Sequence, residues 1–154
     1  VLLGAAMKMG AIVAGASERC KDNMYEFGRN LGIAFQLQDD YLDAFGNPKT
    51  FGKQVGGDII ANKKTFLYIT AMNNASPLQA KELESLSSIT PKDPQEKIAA
   101  VKRIFVNTGA DEALQREIEF YTEKANTVLS SVKMEETNKA TLREFGQWLM
   151  RRTV

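Results

Sequence analysis

Apolar residues recur at helical spacing along almost the whole chain, and β-branched alternation never lasts long enough to argue for a strand. The pattern predicts an all-α protein. The first segment, Val1 to Ala16, places Leu2, Ala5, Ala6, Met9, Ile12 and Val13 on one broad stripe. Gly4, Gly10 and Gly15 leave that segment room to pack closely, so it reads as a core helix. A second helix is predicted from about Lys21 to Phe45, stopped by Gly46-Asn47-Pro48. Gly52, Gly56 and Gly57 punctuate a segment that reads as a mobile loop, and helix resumes near Asp58 through about Asn73 with Ile59, Phe66, Leu67, Ile69 and Thr70.

Ser76-Pro77 opens a short helix with proline at the tolerated first position. Asp93-Pro94-Gln95-Glu96 has the form of a capping box ahead of Ile98, Val101, Ile104 and Phe105, and Gly109 closes that helix. Two more are predicted. One spans about Asp111 to Lys133, with Leu114, Ile118, Tyr121, Ala125, Val128 and Leu129 inward. The last runs from Glu136 to about Arg152 around Leu142, Phe145, Trp148 and Leu149. No internal repeat or long linker interrupts the pattern, and the stretch from Ser85 to Asp93 reads as a hinge within one domain.

Composition narrows the chemistry. With 154 residues, 44% hydrophobic and 25% charged, the chain can bury a sizeable core, which excludes a disordered tail or a disulfide scaffold. Twenty Lys and Arg against 19 Asp and Glu give a net charge of +1, without the basic excess of a nucleic-acid binder. The single cysteine, Cys20, has no internal disulfide partner, and the absence of histidine removes Ser-His-Asp and Cys-His catalysis and nearly every zinc site. Carboxylates, lysines, arginines, hydroxyls and hard cations remain. The apolar opening is too short to span a bilayer and carries Lys8, and no basic region precedes it as a secretory signal requires. The expectation is a cytoplasmic chain without stable membrane insertion. A helix that begins abruptly at Val1-Leu2-Leu3 reads as a piece of something longer.

The segment Phe35-Gln36-Leu37-Gln38-Asp39-Asp40-Tyr41-Leu42-Asp43-Ala44-Phe45 carries the chemistry. Gln36, Asp39, Asp40 and Asp43 fall at i, i+3, i+4 and i+7, so an amide and three carboxylates share one helical face. Leu31, Phe35, Leu42 and Phe45 lie on other faces, which predicts that the acids line a cavity. Like charges one turn apart destabilise a helix by a few tenths of a kcal/mol, and by more in a cavity, unless a cation compensates. Oxygen-only ligands that leave positions for water or phosphate favour Mg²⁺. The bland alternative is a solvated acidic face paired with nearby lysines. An EF-hand is excluded by Tyr41, Ala44 and Thr50 at ligand or turn positions. A P-loop is excluded because five residues separate Gly46 from Gly52 and Gln54 follows Lys53. Lys49, Lys53, Lys63 and Lys64 follow the acids, and with bound Mg²⁺ they would make a diphosphate clamp.

Phe35 to Phe45, followed by Gly52-Lys53, Gly57-Asp58-Ile59 and Asn62-Lys63, resembles the second aspartate-rich region of the trans-isoprenyl diphosphate synthases, the farnesyl and geranylgeranyl diphosphate synthase family. The detailed match covers about Leu31 to Thr65, and the flanking helices suit the C-terminal part of that family's all-α helical bundle. The resemblance implies Mg²⁺-dependent condensation of isopentenyl diphosphate with an allylic diphosphate. It implies that Asp39 and Asp43 coordinate Mg²⁺, that Asp40 acts beside them, and that Lys53 contacts diphosphate oxygens. Phe35 and Gln36 would line the pocket, Gln36 steadying the allylic cation, while Asp58 stands near the metal and Lys63 near the phosphates. Arg151 and Arg152 are weaker phosphate candidates, since a basic helix end more often pairs with the helix dipole.

The family uses two facing aspartate-rich regions, and only one D-D-x-x-D occurs here. The first acidic region, the basic isopentenyl-diphosphate site and the residues that set product length would lie in a missing N-terminal half. The expectation is therefore that this chain alone is inactive, with that half and a second subunit of a homodimer as partners. Three alternatives stand beside it: a non-catalytic subunit of a heteromeric prenyl synthase, a purely structural helical module, and a terpene cyclase. The F-Q-x-x-D-D-x-x-D with G-K favours chain elongation over cyclisation.

Overall fold

The computed structural model describes residues 1–47 and 55–151, and among them every regular element is an α-helix. In chain order these are α1 (Leu2–Val13), α2 (Glu18–Phe45), α3 (Gly57–Ile60), α4 (Phe66–Asn74), α5 (Pro77–Leu86), α6 (Gln95–Asn107), α7 (Ala110–Ser131) and α8 (Glu136–Met150). The all-α expectation is met. Lys49, Thr50, Gly52, Lys53 and Arg152 lie outside the described residues. Among the described residues no helix is long and apolar enough to cross a membrane.

The described residues group into two compact units, 1–36 with 117–151, and 37–47 with 55–116. The first unit is built on α1, α8 and the longer parts of α2 and α7. Its core joins Met24, Phe27 and Leu31 of α2 to Ala125 and Leu129 of α7, with Val132 just beyond. Leu3 and Met7 of α1 and Leu142, Phe145 and Leu149 of α8 close over that cluster. Phe27 is only 1% exposed, and truncating such a ring to alanine costs about 3–5 kcal/mol.

The first helix sits differently from the predicted stripe. Leu2 is 85% and Val13 90% exposed, and Met9 and Ile12 also face outward, whereas Leu3, Gly4, Met7 and Ala11 turn inward. The reason is a glycine crossing: a Cβ on Gly28 would come within 2.7 Å of the Leu3 carbonyl oxygen, and one on Gly4 within 2.9 Å of the Tyr25 carbonyl oxygen. Two backbones that close fix the inward face, and a helix whose one charged residue is Lys8 carries no broad polar side to reveal it. Trp148, expected inward, is 68% exposed and stacks on Phe145.

The second unit gathers around α6, against which α3, α4 and α5 pack. Ile98, Val101, Ile104 and Phe105 are all buried, as their spacing predicts. They meet a core that includes Ile59, Leu67, Ala71 and Leu83. The helix expected from Asp58 to Asn73 is broken: α3 ends at Ile60, Asn62 takes a left-handed φ of 55°, and α4 starts at Phe66. Asparagine tolerates that conformation better than other non-glycine residues, so no Gly or Pro marks the break in sequence. The capping box is also displaced. It forms at Ser76 and Gln79, whereas α6 has Pro94 at its N-cap and Asp93 only accepts the Gln95 N–H at 3.1 Å.

Candidate functional site

The acidic stretch occupies the last turns of α2. Leu42 and Ala44 are buried in the second unit, Tyr41 packs on Phe45, and Gln115 Nε2 donates to the Tyr41 hydroxyl at 2.6 Å. The Lys102 ammonium lies 5.4 Å from the Phe45 ring centre. These contacts fix the rotation of the helix end, leaving Asp39, Asp40 and Asp43 half-buried.

Asp43 holds the next element. Its backbone carbonyl accepts the Gly56 N–H, and its carboxylate Oδ2 accepts the Asp58 N–H at 2.9 Å. Gly56 has φ 87°, and a Cβ there would meet Ile98 at 2.9 Å, so both backbone and space require glycine. Asp58 opens α3 and pairs through Oδ1 with Lys63 Nζ at 2.6 Å. Asp40, Asp43 and Asp58 thus line one cleft, with Lys63, Asn62, Tyr68 and Lys97 among its other walls. Phe35 and Gln36 belong to the first unit, and Asp39 is not among the residues lining this cleft.

Burial holds the Asp43 carboxyl above its ordinary range, and the negative charge of Asp58 pushes the same way. The N–H groups of Asp58 and Gly57 and the Lys63 ammonium oppose that rise. The hydrogen bond to Asp58, and then its charge, raise the Lys63 ammonium, with Asp43 and Asp40 adding to the effect. The cleft therefore favours added positive charge.

Its donors suit magnesium by chemistry, being carboxylate oxygens in a chain without histidine. Among the described residues no three acidic or thiol side chains converge tightly enough to cage an ion. Mg²⁺ does not need such a cage, because it commonly takes one or two carboxylates and completes its shell with water and phosphate oxygens.

Lys97 and Tyr68 are site neighbours that the sequence pattern left unremarked. The signal for Lys97 was available: it stands one turn before Val101 and two before Ile104, a lysine on a core face.

A family model described as polyprenyl synthetase matches residues 1–104. The geranylfarnesyl diphosphate synthase of Aeropyrum pernix is 37% identical over 131 residues, which are 85% of this chain and 40% of that protein. Heptaprenyl diphosphate synthase component 2 of Bacillus subtilis is 30% identical over 132 residues, 86% of this chain and 36% of that one. Among solved structures, a geranylgeranyl pyrophosphate synthase superposes with a TM-score of 0.90 at 43% identity, covering 100% of this chain and 48% of its own. A geranylgeranyl pyrophosphate synthase from Corynebacterium glutamicum, complexed with isoprenyl diphosphate and magnesium, gives 0.81 at 31% identity over 94% of this chain and 41% of that one. The chain spans less than half the length of each of these relatives.

Proposed function

The chain belongs to the polyprenyl synthetase family, and from that premise we propose that it forms the diphosphate-holding part of a magnesium-dependent prenyltransferase. The substrates are isopentenyl diphosphate and an allylic diphosphate. The observation that carries the reading is the single cleft on which Asp40, Asp43 and Asp58 meet Lys63. Solvated acids would not be half-buried around one cleft with a buried-side fastening to α3.

In this reading Asp39 and Asp43 would hold Mg²⁺, with Asp40 and Asp58 beside them. Bound there, the ion supplies positive charge to a departing diphosphate. Lys63 and Lys53 donate hydrogen bonds to diphosphate oxygens, and an ammonium can only donate. Phe35 lines the allylic pocket and Gln36 offers its amide oxygen to the allylic cation. The Phe35 ring shields that cation from water while the homoallylic double bond attacks it and a proton is lost. The facing acids and the isopentenyl diphosphate site come from an N-terminal half of the same chain, and the assembled protein is a cytoplasmic homodimer.

The test is Mg²⁺-dependent turnover of the two substrates by the longer parent chain. Asp39→Ala should lower that rate by about 100-fold or more, the scale on which removing a group that stabilises transition-state charge acts. An unchanged rate removes the assignment. The 154-residue chain alone should show no turnover, and robust activity from it would refute the need for a second half.

A second reading draws on the similarity to heptaprenyl diphosphate synthase component 2. There the chain belongs to one subunit of a two-component synthase. Activity of the parent chain that appears only on adding a separate partner polypeptide would favour it.

A further inference from the structure

We propose that Lys97 is a positioning residue: its buried ammonium ties Asn62 to the Ile89 carbonyl and so sets how Asp58 and Lys63 face Asp43. The inference rests on the reading of this cleft as a magnesium-diphosphate site. Lys97 is 3% exposed, and lysine is almost never so buried unless its charge is compensated. Here its acceptors are neutral. Nζ donates to Asn62 Oδ1 at 2.6 Å and to the Ile89 carbonyl at 2.9 Å, with the Ile60 carbonyl at 3.5 Å. Asn62 Nδ2 reaches the same Ile89 oxygen at 3.4 Å, closing a three-membered network between α6, the turn after α3 and the strand of chain before α6.

That network sits at the left-handed residue of the break. Holding the Asn62 side chain holds its φ, and the next residue is Lys63, whose ammonium meets Asp58 at 2.6 Å. Asp58 in turn gives its N–H to Asp43. Three contacts, joined by the Asn62–Lys63 peptide bond, therefore run from the core helix to the carboxylate of the acidic cluster. Burial pushes the Lys97 ammonium down from its ordinary range, and Lys64 adds to this, so packing alone would favour an apolar side chain of similar length. What methionine could not supply is the three-way donation to oxygen.

The experiment compares wild type, Lys97→Met, Asn62→Gly and the double variant in the longer parent chain. Glycine suits the backbone at position 62 and removes only the amide link. Two readouts are taken: residue-resolved amide exchange, and the Kd for inorganic pyrophosphate in saturating Mg²⁺. Each single variant should lose about tenfold in protection at residues 58–63 and about tenfold in pyrophosphate affinity, the scale of one lost charge-assisted hydrogen bond. Protection in α2 and α7 should hold, and the double variant should be no worse than Lys97→Met.

Unchanged exchange at 58–63, or losses spread evenly over α4, α5 and α6, overturns the proposal, since a merely structural lysine predicts the even spread. Full affinity in variants that have lost protection overturns it too. Should Lys97→Met fail to fold, Asn62→Gly gives the localised loss or refutes the link. If the wild type binds no pyrophosphate, the proposed function fails, and the exchange data still decide whether Lys97 sets residues 58–63.

Discussion

Asp43 accepts two backbone N–H groups on behalf of the next element, one through its carbonyl and one through its carboxylate, while lining the cleft with Asp40 and Asp58. Its raised pKa has a thermodynamic consequence. A carboxyl that holds its proton more tightly folded than unfolded contributes stability fully present below the unfolded value of about 3.9 and lost as pH rises through the folded one. Asp43→Asn should therefore gain in melting temperature relative to wild type as pH is raised from about 4 to 7. Calorimetric melts of both proteins across that range check it, and a flat or falling difference contradicts a burial-dominated environment. At this scale the acids were legible because helical spacing is simple arithmetic. Lys97 was not, because a lone lysine in an apolar period reads as an interruption until its acceptors, 8 to 37 residues away in the chain, are in place.

The helices themselves were largely legible in sequence. The four buried positions of α6 fell where their spacing put them, and Leu114, Ala125 and Leu129 of α7 are buried as expected. What failed was local chemistry that tertiary contacts decide. Ser76 and Asp93 both offer an N-cap oxygen, and only Ser76 has a glutamine that closes the box. The break at Asn62 depends on a side chain held from α6, which no local propensity reports. Face selection in α1 depended on glycines, and this yields a paired prediction. Gly28→Ala forces a methyl into the α1 backbone and should destabilise by about 1–3 kcal/mol, less any gain in helix propensity. Gly10→Ala meets nothing within 4 Å and should stabilise by about 0.5–1 kcal/mol. Urea unfolding of the two variants checks both, and equal effects would remove the crossing as the cause of the rotated face.

For the whole molecule, the outward residues of α1 form an exposed apolar surface, and such surfaces promote association. Replacing Ile12 and Val13 with lysine should leave stability within about 0.5 kcal/mol for each, as surface changes do. It should also lower self-association of the 154-residue chain at high concentration, read by light scattering. Increased association in that variant would contradict an exposed apolar face as its source. The division into two units was not legible, because α2 and α7 run unbroken through the residues at which the grouping changes. Periodicity sees a helix and not the company each half keeps.

The fastening of α3 by Asp43 has a final consequence. A side chain that buttons one stretch of backbone to another cannot be deleted as a charge alone: removing Asp43 strips away an anion and undoes the buttonhole at Asp58 in the same stroke.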